Sequence, residues 1–315
     1  MIVGIDVSKQ SFDGVWGAAG KVKHCALEYT DKGIDELLER TSVDSHYVME
    51  ATGIYHTRLA LKLYDAGRRV SVVNPLVIKR FSQMQLSRVK SDKADARLIR
   101  DYGEKHDLIP WSPSSSEITE LQQAHSWLDD LIRERTRLDN RREALSHQAT
   151  ASDFVLSQME GQRRHLNEQI ELCEQHLEAV VKKSFPELYA RLQTIPSVGP
   201  KTAIELIVIT DGFRRFNDVK ALCAYIGISP TTFSSGTSVK GKGGIAKMGK
   251  GRMRQLLYMC SWTAKSCNKA CRDLCARLRA MGKPPKVINV AIAHKLVRQA
   301  YAVATKGIEY SEKYA

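Results

Sequence analysis

Ile2-Val3-Gly4-Ile5-Asp6-Val7-Ser8-Lys9 is the stretch whose reading decides the fold. Ile2, Val3, Ile5 and Val7 make a short β-rich run, the pattern of a buried central strand, with Asp6 inside it. A carboxylate in such a strand costs several kcal/mol unless a cation or a dense set of donors compensates it. Asp6 therefore asks for a partner elsewhere in the chain.

Working outward, residues 11–16 and 21–29, with Gly17 and Gly20 at the turn between them, read as two further strands antiparallel to the first. A helix follows over 31–39 with Asp31 as its N-cap. Residues 46–51 form another apolar strand with Glu50 near its end, and 53–66 a helix closing on Gly67. A strand over 69–73 stops at Asn74-Pro75, and helices over 76–86 and 94–102 complete the region. Strands followed by alternating helix and strand predict an α/β domain with a mixed sheet over residues 1–110.

Pro110-Trp111-Ser112-Pro113-Ser114-Ser115-Ser116 is a linker by composition. Beyond it Leu121, Leu128, Leu131, Leu138 and Leu145 recur at helical spacing among many charges. Met159, Leu166, Ile170, Cys173, Leu177 and Val180 do the same after a break near 149–153. Two long polar helices with narrow apolar seams predict an antiparallel coiled-coil arm over 111–184, about 45 Å long. Such an arm serves as a spacer, as a dimerisation element, or as a reach along a nucleic acid, and dimerisation is the favoured role. Residues 185–315 read as mainly helical. Ile195-Pro196-Ser197-Val198-Gly199-Pro200-Lys201-Thr202-Ala203 is similar to the turn of a helix-hairpin-helix module, which presents backbone N–H groups to a phosphate. Ser197 stands where such hairpins have a glycine, and a plain inter-helix turn is the other reading. Helices over 218–226, 252–269, 272–280 and 287–304 surround a loop over 229–251 rich in Gly, Ser, Thr and Lys.

Charge divides the chain more sharply than its net of +13 suggests. Residues 219–315 carry 18 Lys/Arg against 3 Asp/Glu, while residues 1–218 carry 30 against 32. No acidic residue occurs from 219 to 272, the electrostatic footprint of a surface for a polyanion. No apolar run approaches a membrane span, and no secretory signal is visible ahead of the first strand. Seven scattered cysteines fit a reducing cytoplasm.

Four carboxylates stand out: Asp6, Glu50, Asp92 and Asp95. Glu50 is followed by Ala51-Thr52-Gly53, small residues that permit close approach. Asp92 and Asp95, three apart at a helix start, share one face, although Asp92 could also serve as an N-cap. Two carboxylates from adjacent strands and two from a helix laid across them can converge. Four anions in one place repel unless hard cations lie between them, and Mg²⁺ fits oxygen ligands and phosphate substrates. Lys90 and Lys93 flank Asp92, with Arg88 and Arg97 nearby, and suit either a phosphate substrate or plain charge balance. In the loop, Gly236 to Lys242 and Gly244 to Lys250 approach a P-loop but lack its Ser/Thr and its preceding strand. A hydroxyl there could act as a nucleophile, and spacing alone does not choose among Ser234, Ser235, Thr237 and Ser238. Cys267, Cys271 and Cys275, four apart, read as one helix face packed in a core rather than as zinc ligands.

Taken together, Gly4-Ile5-Asp6, Glu50-Ala51-Thr52-Gly53, Ser91-Asp92-Lys93-Ala94-Asp95-Ala96 and Ser235-Gly236 resemble the DEDD-type insertion-sequence transposases, also described as bridge-RNA-guided DNA recombinases. The resemblance spans nearly the full length. It implies a RuvC-like (RNase H-like) domain over 1–110, a coiled-coil arm over 111–184, and a C-terminal transposase domain over 185–315. It implies that Asp6, Glu50, Asp92 and Asp95 hold Mg²⁺, two ions in all, and that Ser235 attacks a DNA phosphate to form a phosphoserine link. It further implies a non-coding guide RNA, target and donor DNA as partners, dimers that join into tetramers, and action on the bacterial nucleoid. The basic residues expected to contact nucleic acid are Lys90, Lys93, Lys201, Lys240, Lys242, Lys247, Lys250, Arg252 and Arg254. Competing readings are a RuvC-like Holliday-junction nuclease using metal-activated water, a sugar-kinase or actin-like ATPase opening on Gly4-Ile5-Asp6, and a non-catalytic nucleic-acid binder. The last leaves Asp6 and Glu50 unexplained.

Overall fold

A computed structural model describes residues 1–17, 21–51, 53–86, 91–231, 234–235, 239–240, 244–246 and 248–312, without the side chains of 234, 235, 239 and 240. The chain forms two compact units, Met1–Pro113 and Ser114–Ala315.

In the first unit, β1 (Ile2–Val7), β2 (Ser11–Trp16) and β3 (Lys23–Glu28) form an antiparallel meander. Helix α1 (Asp31–Arg40) leads to β4 (His46–Glu50), and α2 (Tyr55–Asp65) to β5 (Arg69–Val73). Both later strands run parallel to β1, giving the order β3-β2-β1-β4-β5. Helices α3 (Pro75–Met84) and α4 (Asp92–Lys105) follow.

Alternation along the strands assigns the two faces of the sheet. Val3, Ile5, Phe12, Trp16, Tyr47 and Met49 pack with Ile34 and Leu37 of α1 and Leu59 and Leu63 of α2. On the opposite face Val48 packs with Ile78 of α3 and Ile99 of α4. Gly4 belongs to that second face. A Cβ there would lie 2.3 Å from both the Ala96 carbonyl oxygen and the Arg100 nitrogen, so the backbone of α4 rests directly on β1.

Two helix starts differ from expectation or settle an open choice. Thr30, not Asp31, caps α1 by accepting from Gly33 N, and Asp31 instead pairs with Arg58 and Lys62 at 2.6 Å each. Ser91 caps α4 by accepting from Ala94 N at 3.3 Å. That leaves the Asp92 carboxylate with no capping duty.

The second unit opens with α5 (Ser116–Ser146) and α6 (Asp153–Ser184). They pack as an antiparallel pair, tied by Arg142–Glu160 at 2.9 Å, Arg163–Asp139 at 3.0 Å and His176–Glu120 at 3.0 Å. Their seam residues, Leu128, Leu131, Leu138, Leu166, Ile170 and Leu177, belong to the same apolar cluster as Leu206, Leu257 and Leu296 farther along the chain. Then come α7 (Pro186–Gln193), α8 (Pro200–Thr210) and α9 (Val219–Ile226). Between α7 and α8, Ser197 takes φ of 83°, so it adopts the left-handed conformation a glycine would have supplied.

The segment expected to be an open loop holds two short ladders. β6 (Pro230–Thr231) pairs with β9 (Gly244–Ile245), and β7 (Ser234–Ser235) with β8 (Val239–Lys240). Two-residue strands carry too little periodicity to stand out in a glycine-rich sequence. Helices α10 (Gly251–Cys267), α11 (Lys269–Ala280) and α12 (Pro285–Lys306) complete the unit. The three cysteines do not share one helix. Buried Asn268 ends α10, caps α11 and bonds Gln299 at 2.9 Å, which leaves Cys267 exposed and Cys271 and Cys275 in the core. Among the described residues no helix is long and apolar enough to cross a membrane.

Candidate active site

Strand register brings the first acids together. β1 and β4 are parallel with Ile5 beside Met49, so the next residues, Asp6 and Glu50, come level on neighbouring strands. Both share parity with Gly4 and therefore face α4. Since Gly4 meets Ala96 and Arg100, the first turn of α4, with Asp92 and Asp95, lies toward Asp6. Two strand ends and one helix start thus bring the four expected acids to the same face and the same end of the sheet.

Electrostatics report the same convergence. Burial, and then the charges of Asp95, Asp92, Glu50 and Asp13, push the Asp6 carboxyl up to about 6. Burial, with Asp95 second, raises Glu50 as well. Among the described residues no Lys, Arg or His forms an ion pair with Asp6, Glu50 or Asp92. Nor do any three Asp, Glu, His or Cys side chains among the described residues stand close enough to hold a metal as placed. The acids lie within range of each other's charge. An all-oxygen donor set of carboxylates matches a hard divalent cation such as Mg²⁺ in chemistry.

Sequence reading passed over Asp13. It lies directly across β1/β2 from Asp6 on the same face, is buried, and meets His24 Nε2 at 2.5 Å. Two carboxylates opposed across a ladder destabilise a sheet unless something compensates them. Here His24 engages one, and Asp6 is left to the site. The signal was available: Asp13 sits at the inward parity of β2 between apolar neighbours.

The expected nucleic-acid contacts divide. Lys93 is exposed on the first turn of α4. Lys201 is exposed but pairs with Glu174 at 2.7 Å. Arg254 Nη1 donates to Ile226 O at 2.9 Å, and Lys250 is exposed near the Tyr225 ring. Arg252 is tied into the fold. Its guanidinium turns inward to Asp129 at 2.7 Å and to the buried Glu205 at 3.4 Å, which also bonds His125. A carboxylate as buried as Glu205 needs a counter-charge, and Arg252 supplies it. Lys90, Lys242 and Lys247 lie outside the described residues. Ser235 and Lys240 are placed by backbone alone, on β7 and β8, and their side chains lie outside what is described.

An antiparallel meander continued by parallel strands, with helices on both faces, is consistent with an RNase H-like domain of the DEDD type. Comparison with known proteins agrees. A transposase family model of the DEDD IS110 type matches residues 3–151, and one described as transposase, IS116/IS110/IS902 family, matches residues 189–276. The pilin gene-inverting protein of Moraxella bovis is 30% identical over 99% of this chain and 98% of its own length. That of Moraxella lacunata is 29% identical over the same shares, and the transposase of insertion sequence element IS1328 from Yersinia enterocolitica is 23% identical over 99% and 98%. The chain belongs to the IS110-type transposase family, whose members are DNA recombination enzymes.

Proposed function

We propose that this chain cuts and rejoins DNA strands through a divalent-metal site at Asp6, Glu50, Asp92 and Asp95 and a covalent link to Ser235. The observation that carries the reading is the placement of those four acids at one end of the sheet, where burial first and then the charges of Asp95, Asp92 and Glu50 push the Asp6 carboxyl up to about 6. Relatives named for gene inversion and for transposition support recombination rather than simple cleavage.

When bound, Mg²⁺ would offset negative charge on the phosphate oxygens and raise the reactivity of the attacking oxygen. Asp6 and Glu50, fixed on the sheet, would set the ion's position, and Asp92 and Asp95 would close it from the helix side. Ser235 Oγ would form a bond to phosphorus while the bond from phosphorus to one sugar oxygen breaks. The serine proton leaves and the departing oxygen takes one up. The phosphoserine link conserves the phosphodiester, so the reverse step reseals a strand without ATP. The resemblance extends the proposal to a guide RNA pairing with target and donor DNA, and to dimers joined into tetramers, with α5 and α6 as the dimerisation element.

The test is adduct trapping. The full chain, with its co-purifying RNA, is incubated with duplex DNA and Mg²⁺ and run on a denaturing gel. The expected result is a protein–DNA adduct that Ser235→Ala abolishes while RNA binding persists, and that Asp6→Ala also abolishes without unfolding the protein. Adducts surviving in Ser235→Ala would move the nucleophile elsewhere. Cleavage without any adduct would favour the water-using nuclease.

A further inference from the structure

Three side chains far apart in sequence meet beside the root of the glycine-rich loop. The Arg215 guanidinium lies 4.9 Å from the Tyr225 ring centre and donates to the Tyr225 hydroxyl at 3.2 Å. The Lys250 ammonium lies 5.5 Å from the same ring centre. Both cations are exposed, and among the described residues neither pairs with a carboxylate. The acids nearest Arg215 in sequence are engaged elsewhere: Asp211 pairs with Arg214, and Asp218 caps α9 by accepting from Ala221 N.

The backbone is built to hold this grouping. Arg215 ends a turn in which Asp211, Gly212 and Phe213 take φ of 54°, 60° and 68°, a left-handed run that a bulky residue such as Phe213 rarely enters. Gly212 N to Ile207 O, Phe213 N to Thr210 Oγ1 and Arg215 N to Thr210 O lock it, at 2.9, 2.9 and 3.1 Å. On the other side Gly249, at φ 132°, passes so close to the Tyr225 carbonyl that a Cβ would lie 2.2 Å from its oxygen. Lys250 follows immediately. Two cations thus share one ring, one of them positioned by a strained turn, with no carboxylate paired to either among the described residues.

We infer that Arg215, Tyr225 and Lys250 form a clamp for one phosphate of a nucleic-acid backbone. The ring gives both cations a fixed seat, and the anion bridges them by charge-assisted hydrogen bonds. The inference rests on the reading of this chain as a nucleic-acid enzyme, but needs neither the metal site nor Ser235.

The test is the salt dependence of binding by the full chain, measured by fluorescence anisotropy with a labelled short DNA duplex and, separately, a labelled single-stranded RNA. Arg215→Gln and Lys250→Gln should each weaken binding about three- to ten-fold at moderate salt and flatten the slope of log K against log salt by about 0.9. Arg215→Lys should restore the slope, because the charge rather than the fold sets it. The probe that responds identifies whether DNA or RNA supplies the phosphate. Unchanged slopes on both probes in chains that melt like the parent would overturn the clamp alone. A parent chain that binds neither probe would overturn the clamp and the enzyme reading together.

Discussion

Asp6 carries two opposed energetic demands. Its carboxyl titrates near 3.8 in an unfolded chain and is pushed up to about 6 in the fold, by burial first and then by Asp95, Asp92, Glu50 and Asp13. The folded chain therefore holds its proton more tightly than the unfolded one. This group's contribution to stability is full below about pH 4 and is lost as pH rises through about 6. Above that, the ionised Asp6 weighs against the metal-free fold. After allowance for the solvent that reaches the group, the penalty is about 1–2 kcal/mol. Asp6→Asn should then raise the melting temperature of the metal-free protein at pH 7.5 by several degrees and change it little at pH 4. The same variant should lose both cleavage and any stabilisation by Mg²⁺. A variant less stable than the parent at pH 7.5 would show that Asp6 is held by a partner rather than strained. Arg252 illustrates the reverse case. Arg252→Met leaves Glu205 buried beside His125 without its cation and should cost about 3–5 kcal/mol by chemical denaturation. Adding Glu205→Gln should recover much of that loss, and no recovery would place the cost in packing instead.

At the scale of elements, the contact between α4 and β1 does the positioning. Gly4→Ala drives a methyl into the Ala96 carbonyl and the Arg100 nitrogen, so the helix must lift or slide. The expected cost is about 2–3 kcal/mol, with a loss of cleavage larger than the stability change explains, because Asp92 and Asp95 move with the helix. Denaturant melts alongside single-turnover cleavage would separate the two effects; parallel losses would mean that the helix does not aim the acids. Much of this region was legible beforehand. β1 and β5 follow from short apolar runs, the second stopped by Asn74-Pro75, and Glu50 was readable as the end of a strand. The start of α4 was readable near Asp92, but not which residue caps it, because apolar periodicity begins only at Ala94 while the cap, Ser91, lies three residues earlier. Asp13 was readable as a carboxylate inside an apolar strand, but that it faces Asp6 is set by register, which a lone strand does not display. The clamp at Tyr225 was out of reach for a similar reason. Arg215 and Lys250 meet only through a left-handed turn at Phe213, and nothing in that residue's chemistry announces the conformation.

Across the whole molecule, charge and core divide along the same line. The unit Met1–Pro113 holds the acidic site and its own apolar clusters, while Ser114–Ala315 holds a separate cluster and the basic excess. A divalent cation should act on the first and a polyanion on the second. Hydrogen exchange on the intact chain reads both at once. Mg²⁺ should slow amide exchange in residues 2–7, 46–50 and 92–97, where relief of repulsion around Asp6 removes a local incentive to open. It should leave 219–272 unchanged. Duplex DNA in the absence of Mg²⁺ should protect the backbone around 211–215 and 248–254 and leave 46–50 unchanged. Asp6→Asn should erase the first pattern and keep the second, and the Arg215→Gln, Lys250→Gln double variant should do the opposite. If Mg²⁺ protected the basic segment instead, the ion would be acting through bound nucleic acid, and the acids around Asp6 would not be its site.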